Sequence, residues 1–325
     1  MNIIPYKPSD KEEWNAFVRQ ARNGTLLFER DYMDYHADRF DDASLMFRDD
    51  RGRLVAVLPA NLSDGELWSH RGLTYGGLVT GLSVTASDVL SMVQNLVAYA
   101  RQAGWKAIHL KPVPTDYQRV PAQDEEYALW RCGAVLESCQ LASVVCLDET
   151  RIKPTTTNRY YHTRHRQGQD LRLEADTPLE AYWPLLEASL KERYGARPVH
   201  ALDEIKRLQA AFPQAIRCFT VHQVQAPGAA GQSAESSLLG GVVAYLTGRV
   251  FHIQYSAASP QGRDAHALAW LYQTLMDQAA SEGYAFFDMG TSNEENGRVL
   301  NASLDFWKWS LGGRGITYKM YVMPL

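Results

Sequence analysis

The chain has 325 residues, 46% of them apolar and 22% charged, with a formal charge of −4. That length favours two domains, because single cores stop growing at about 250–300 residues. A net negative balance argues against a protein that coats nucleic acid or anionic membrane over its whole surface.

Residues 1–10 lack the basic-then-apolar order of a signal peptide. No apolar run approaches the roughly 20 residues that span a bilayer. The expectation is a cytoplasmic protein without integral membrane association and without a DNA partner. The four cysteines, Cys132, Cys139, Cys146 and Cys218, form no CxxC pair, and there is no HExxH. They read as reduced structural thiols. His162 and His165 share a helical spacing, but no nearby thiol or acid completes a shell, so no bound metal is expected.

In chain order, Asp10 is placed to cap a helix running to Gln20, with Glu13 as the far member of a capping box, and Gly24 stops it. A second amphipathic stretch covers 30–40. SLMFRD and RLVAVLPANL flank the turn 49–52 and read as a hairpin, followed by the glycine-broken run ELWSHRGLTYGGLV. Val89, Leu90, Val93, Leu96, Val97 and Ala100 recur at helical spacing within 87–103, and Gly104 ends that helix. A buried strand, WKAIHLKPVP, a short helix over 124–132 and the strand LASVVCLDE complete the first half.

The second half opens on a basic segment, 151–172, and continues with helices over 178–194 and 203–211. Three strands follow, IRCFTVHQV, SLLGGVVAYLTG and GRVFHIQYSAAS, the first two separated by a small-residue loop over 226–237. Leu268, Leu271, Tyr272, Leu275 and Met276 mark a helix over 265–280; Gly283 ends it, and YAFFDMG is the next strand. The two halves repeat an order. RLVAVLPANL aligns with GGVVAYLTG, and VLSMVQNLVAYARQAGWKAIHLKP aligns with ALAWLYQTLMDQAASEGYAFFDMG as helix, glycine stop, aromatic and buried strand. The reading is two domains, 1–150 and 151–325.

FFDMGTSNEENGRVLNASLDFWKWSLGGRGITYKMYV, near the C-terminus, resembles the closing segment of Fem-type (FemAB-like) acyltransferases of the GNAT superfamily. The elements that carry the resemblance are Asp288 to Gly290, the polar loop Ser292 to Arg298, Phe306 with Lys308, Gly312-Gly313, and Tyr318 with Tyr321. TYGGLVTG resembles the tyrosine-glycine-glycine loop of that family's first domain. TTTNRYYHTRHRQGQDLRL resembles the basic helix and glycine turn that open its second. The resemblance implies an α/β (α+β) fold of tandem GNAT-like domains, each a mixed twisted sheet flanked by helices. It further implies that the domains face one another across a cleft, with the last strand, about 314–325, completing a sheet of the first. It departs from single-domain GNAT enzymes at PQGRDAHALAW. There Gln261, Gly262 and Arg263 stand where coenzyme A pyrophosphate is usually held, but Asp264 and His266 replace the spaced glycines.

Acyl transfer to an amine needs an uncharged nucleophile, a held carbonyl, stabilisation of the developing oxyanion and a proton for the leaving group. No nucleophile triad is visible, and GLSVT fails the GxSxG pattern. Arg159, Arg164 and Arg166 are the phosphate-binding candidates, with a solvated helix face as the plainer reading. Lys308, among Phe306, Trp307 and Trp309, is either an oxyanion donor or a snorkelling lysine. Tyr75 either meets a ligand or packs a tight turn. Tyr255 either protonates a leaving group or packs. Asp288 either receives the acceptor amine, as a base with raised pKa, or holds loop amides. Asn293, Glu294 and Arg298 form a polar loop that would line the cleft.

The resemblance implies amide formation between an activated acyl or aminoacyl group and an amine of a cell-envelope precursor or glycoconjugate. The donor would be aminoacyl-tRNA, bound through its end, or acyl-coenzyme A, with no tightly bound cofactor. Two other readings fit the same residues: a coenzyme A-dependent N-acetyltransferase acting on a small metabolite, and a non-catalytic binding module that kept a duplicated GNAT-like fold.

Overall fold

A computed structural model describes residues 1–168, 170–224 and 237–325; the loop expected over 226–237 lies outside the described residues except for Ser237. The chain divides into two compact units. The first comprises residues 1–141, 293–300 and 316–325, and the second comprises 142–292 and 301–315.

The first unit opens with a strand, β1 (Asn2–Pro5), then α1 (Lys11–Gln20), α2 (Arg30–Met33) and β2 (Asp41–Asp42). β1 leaves no signal in the sequence: it is too short to show a period and is a strand only because β3 (Leu45–Arg48) pairs with it antiparallel. Asp10 stands at the N-cap of α1, but its carboxylate accepts the Lys7 N–H at 3.0 Å. Glu13 pairs with Arg48 at 2.6 Å, so the expected capping box is not made. A turn over 8–10 precedes α1, and Asp10 closes that turn instead.

The hairpin forms as read, with β4 (Leu54–Leu58) antiparallel to β3. Next come β5 (Asn61–Ser63), β6 (Glu66–Trp68), β7 (Val79–Thr80), α3 (Ala86–Gln102), β8 (Ala107–Leu110), α4 (Asp124–Arg131) and β9 (Val135–Cys146). Strands β1-β3-β4-β7 form one sheet in that order, while β8, β6, β5 and β2 are neighbours in another. Val89, Met92, Val93, Leu96 and Ala100 of α3 are buried with Phe47, Leu58, Ile108 and Leu129. This is the helical stripe read from the sequence, now closed over by strands.

Residues of β9 from Ala142 onward belong to the second unit. There follow α5 (Thr156–Gly168), β10 (Leu171–Ala175), α6 (Leu179–Tyr194), α7 (Leu202–Ala211), β11 (Ile216–Gln223), β12 (Ser237–Thr247), β13 (Val250–Ala258), α8 (Pro260–Asp264), α9 (Ala267–Ser281) and β14 (Phe286–Thr291). After β15 (Asn293–Glu294) and β16 (Val299–Leu300) come α10 (Ala302–Ser310) and β17 (Arg314–Pro324). The second unit's sheet runs β10-β11-β12-β13-β14-β9, with β13 and β14 parallel and its other pairs antiparallel. β13, α9 and β14 therefore form one β-α-β crossover. Residues 321–324 of β17 pair antiparallel with β8 in the first unit's sheet.

Candidate active site

The crossover brings two polar side chains together inside the second unit. Parallel pairing sets Phe251 beside Phe287 and His252 beside Asp288. Asp288 is fully buried (0% exposed). Its Oδ1 accepts the Gly290 N–H at 2.7 Å, and its Oδ2 lies 2.8 Å from His252 Nδ1. An ionised carboxylate only accepts hydrogen bonds, so Nδ1 carries the hydrogen and Nε2 is the basic nitrogen of that ring. Sequence reasoning did not single out His252. The signal available was the pair of matching dipeptides Phe251-His252 and Phe287-Asp288 on strands flanking one helix.

Lys308 reaches the end of β14 from α10. Asn301 caps that helix, accepting the Leu304 N–H at 3.1 Å, and so starts α10 where its second turn meets β14. Lys308 is buried at 4% exposure, and its Nζ donates to the carbonyls of Gly290 at 2.8 Å and Thr291 at 2.7 Å. Two of its three N–H groups are thereby used among the described residues. Burial pulls the ammonium down to about 8, and the negative charges of Asp288 and Asp305 oppose that fall. The turn after α10 depends on Gly312, whose φ is 102° and where a Cβ would collide with the Ile152 carbonyl. Ser292, next along from Thr291, is 1% exposed and its hydroxyl finds no partner among the described residues.

Tyr255 lies further along β13, beyond a break in register between Ala244 and Val243 of the partner strand. Its hydroxyl is 2.6 Å from His200 Nδ1 and accepts the His200 N–H at 3.2 Å. Burial raises the phenol, so it remains protonated at neutral pH.

Arg159, Arg164 and Arg166 are all exposed on α5, and none has an ion pair among the described residues. At about 100° per residue, Arg159 and Arg166 share one flank of α5 and Arg164 projects from the other. His162 is half-buried towards Trp270, and burial lowers its pKa. His165 is held between Asp170 at 2.9 Å and the Ala265 carbonyl at 2.8 Å.

Gln261, Gly262 and Arg263 form α8, and its amides are committed locally. The Gly262 N–H goes to Ser259 Oγ at 3.0 Å, that of Arg263 to the Ser259 carbonyl, that of Ala265 to Gln261 and that of His266 to Arg263. The Tyr161 ring stacks on His266 at 4.0 Å. A pyrophosphate needs several free amides pointing at it, and these four N–H groups do not provide them.

The remaining candidates lie in the first unit. Tyr75 is buried (2% exposed), its hydroxyl donating to Thr25 Oγ1 at 3.3 Å and its ring against Tyr117 at 4.7 Å. The second glycine after it makes room for a carboxyl group: Gly77 has φ 77°, and a Cβ there would lie 2.6 Å from Oε1 of the buried Glu125. Glu125 accepts the Leu78 N–H at 2.8 Å, and burial pushes its carboxyl up to about 8. Asn293 anchors the polar loop, its Oδ1 accepting the Leu141 N–H at 2.5 Å. Glu294 is exposed. Arg298 lines an open cleft with Glu137, Ser138, Glu295, Asn296 and Met320. No group of three or more His, Cys, Asp or Glu side chains suited to a metal ion occurs among the described residues.

The family model described as an acetyltransferase (GNAT) domain matches residues 157–296. No curated protein sequence matches the chain. Among solved structures, FemX is 14% identical with a TM-score of 0.68, the match covering 100% of this chain and 98% of that one. A candidate lysylphosphatidylglycerol synthetase C-terminal domain from Agrobacterium fabrum is 13% identical at a TM-score of 0.57, covering 97% and 92%. A tandem GNAT protein from the clavulanic acid biosynthesis pathway is 12% identical at 0.54, covering 99% and 98%. At these identities the structural likeness establishes the fold, while the sequence match establishes the domain. Residues 157–296 thus match a GNAT acetyltransferase domain in sequence, and the chain shares the fold of FemX along its full length.

Proposed function

We propose that this protein is an acyltransferase that joins an activated acyl or aminoacyl group to an amine of a cell-envelope precursor or glycoconjugate, forming an amide. The observation that carries the reading is the buried Asp288, His252 and Lys308 arrangement at the end of β14. The GNAT-domain match supports the reaction class. The Fem-type resemblance in the sequence implies the class of acceptor, and the fold shared with FemX and with a lysylphosphatidylglycerol synthetase domain supports it.

In the reaction the amine nitrogen attacks the donor carbonyl, the C–N bond forms, and the bond to the donor's oxygen or sulfur breaks. The amine sheds a proton, for which His252 Nε2, oriented by Asp288, is the base. The remaining N–H of Lys308 donates to the carbonyl oxygen as it gains charge. Tyr255, kept protonated by burial, returns a proton to the leaving atom. Arg159, Arg164 and Arg166 grip phosphate on the donor or acceptor. The committed amides of α8 favour a donor such as aminoacyl-tRNA over acyl-coenzyme A.

The test is a transfer assay with purified chain, amine-bearing envelope precursors, and either aminoacyl-tRNA or acyl-coenzyme A as labelled donor. Amide product from the tRNA donor, lost in Lys308→Ala, supports the reading. Product from acyl-coenzyme A alone moves the assignment to an N-acetyltransferase. Tight binding of both substrates without turnover leaves a binding module.

A further inference from the structure

Three large apolar side chains stay in water where the approach to α5 meets the end of α10, all within the second unit. Phe306 is 65% exposed and Trp309 46%, one helical turn apart on α10, with their rings stacked at 5.6 Å. Ile152, whose carbonyl adjoins Gly312 just past α10, is also exposed. The segments adjoin: the Thr155 N–H reaches the Ser310 carbonyl at 2.8 Å, and Asn158 Nδ2 reaches Ser310 Oγ at 2.8 Å. Single exposed apolar residues are ordinary, whereas clusters of large ones mark contact surfaces.

Charge indicates what covers the cluster. Arg314 lies over the Trp309 ring at 5.6 Å, Lys153 follows Ile152, and Arg159 stands early in α5. These three cations are exposed and have no ion pair among the described residues, whereas Arg151 is neutralised by Asp277 at 2.8 Å. Residues 151–168 contain no acid. Asp305 is the one carboxylate on α10, one turn before Trp309, against the three cations around it.

We infer that this surface docks on an anionic lipid bilayer, with Phe306 and Trp309 entering the headgroup layer and Lys153, Arg159 and Arg314 meeting lipid phosphates. Amphipathic aromatics rimmed by cations suit that boundary, and each basic residue near an anionic surface adds about 1 kcal/mol. A nucleic acid strand would need a ring face on which to lay each base, but these two rings are already stacked on each other. No described helix is long and apolar enough to cross a membrane, so the inference concerns surface contact alone. It stands independently of acyl transfer, and its test uses no substrate.

The full chain is centrifuged with vesicles of phosphatidylcholine alone and with vesicles that also contain phosphatidylglycerol. It should sediment with the second and not the first, and salt should weaken the binding. The double variant Phe306→Ser/Trp309→Ser should lose about tenfold or more in vesicle affinity, with its thermal melt unchanged because both rings are exposed. Lys153→Glu/Arg314→Glu should abolish the preference for anionic lipid. Absence of wild-type binding, or binding that neither double variant weakens, overturns the inference. So does capture by single-stranded RNA, lost in the aromatic variant, in place of vesicle binding.

Discussion

Asp288 and His252 sit side by side on parallel strands, carboxylate oxygen to ring nitrogen at 2.8 Å, with Asp288 fully buried. The pair fixes which ring nitrogen is basic, and the Gly290 N–H anchors the carboxylate from behind. Asp288→Asn keeps the shape but places an amide N–H against Nδ1–H, which forces the other tautomer. We expect transfer to fall about 10²–10⁴-fold. Stability should drop by about 1–3 kcal/mol. Activity and urea unfolding measured on the same preparation check both, and near wild-type turnover in a folded Asp288→Asn protein removes the base.

Lys308 predicts the basic limb of the pH profile. Its ammonium is needed as donor, and burial sets its pKa at about 8. Turnover should therefore be retained below that value and decline as pH rises through it. Lys308→Ala should lower kcat about 10²-fold. Lys308→Arg should not restore it, because a guanidinium fork does not fit two carbonyls lined up for an ammonium. Profiles of kcat against pH for the three proteins provide the check.

Glu125 gives stability the opposite sign from the usual carboxylate. Its folded pKa is about 8 against an ordinary 4.5. Between those values the folded state keeps a proton that the unfolded chain has released. Stability is then fully present below pH 4.5 and is lost as pH rises towards 8. Glu125→Gln cannot titrate and retains an acceptor for the Leu78 N–H. It should be more stable than wild type by about 2–4 kcal/mol at pH 9 and little different at pH 4.5. Urea midpoints at the two pH values test this, and parallel pH curves would rule it out.

Arg159 and Arg166 share a flank of α5 that Arg164 does not. Arg159→Ala/Arg166→Ala should raise the KM for a phosphate-bearing substrate about tenfold while kcat moves little, and added salt should narrow the gap. Arg164→Ala should do less. Steady-state kinetics at two salt concentrations separate the flanks, and equal effects from all three arginines would mean a diffuse field.

The fold was legible wherever one element carried its own period. Val89, Val93, Leu96 and Ala100 marked α3, and the Leu and Met residues of 265–280 marked α9 within two residues of its ends. What escaped depended on a distant partner. β10 follows directly on the basic run, and LRLEA becomes a strand only because β11, over forty residues on, bonds to it. Asp10 carried the right side chain for a cap, but the turn before it used that carboxylate first. Lys308 and Asp288 stood out by type and by resemblance. His252 did not, because a histidine midway along an apolar strand says nothing until the neighbouring strand supplies an acid.

Residues 321–324 bond to residues 107–110, so the first unit cannot finish its own sheet until residue 324 has left the ribosome. An emerging polypeptide would hold β8 with one edge open throughout synthesis of the whole GNAT domain. Removing residues 321–324 would therefore damage the unit made first.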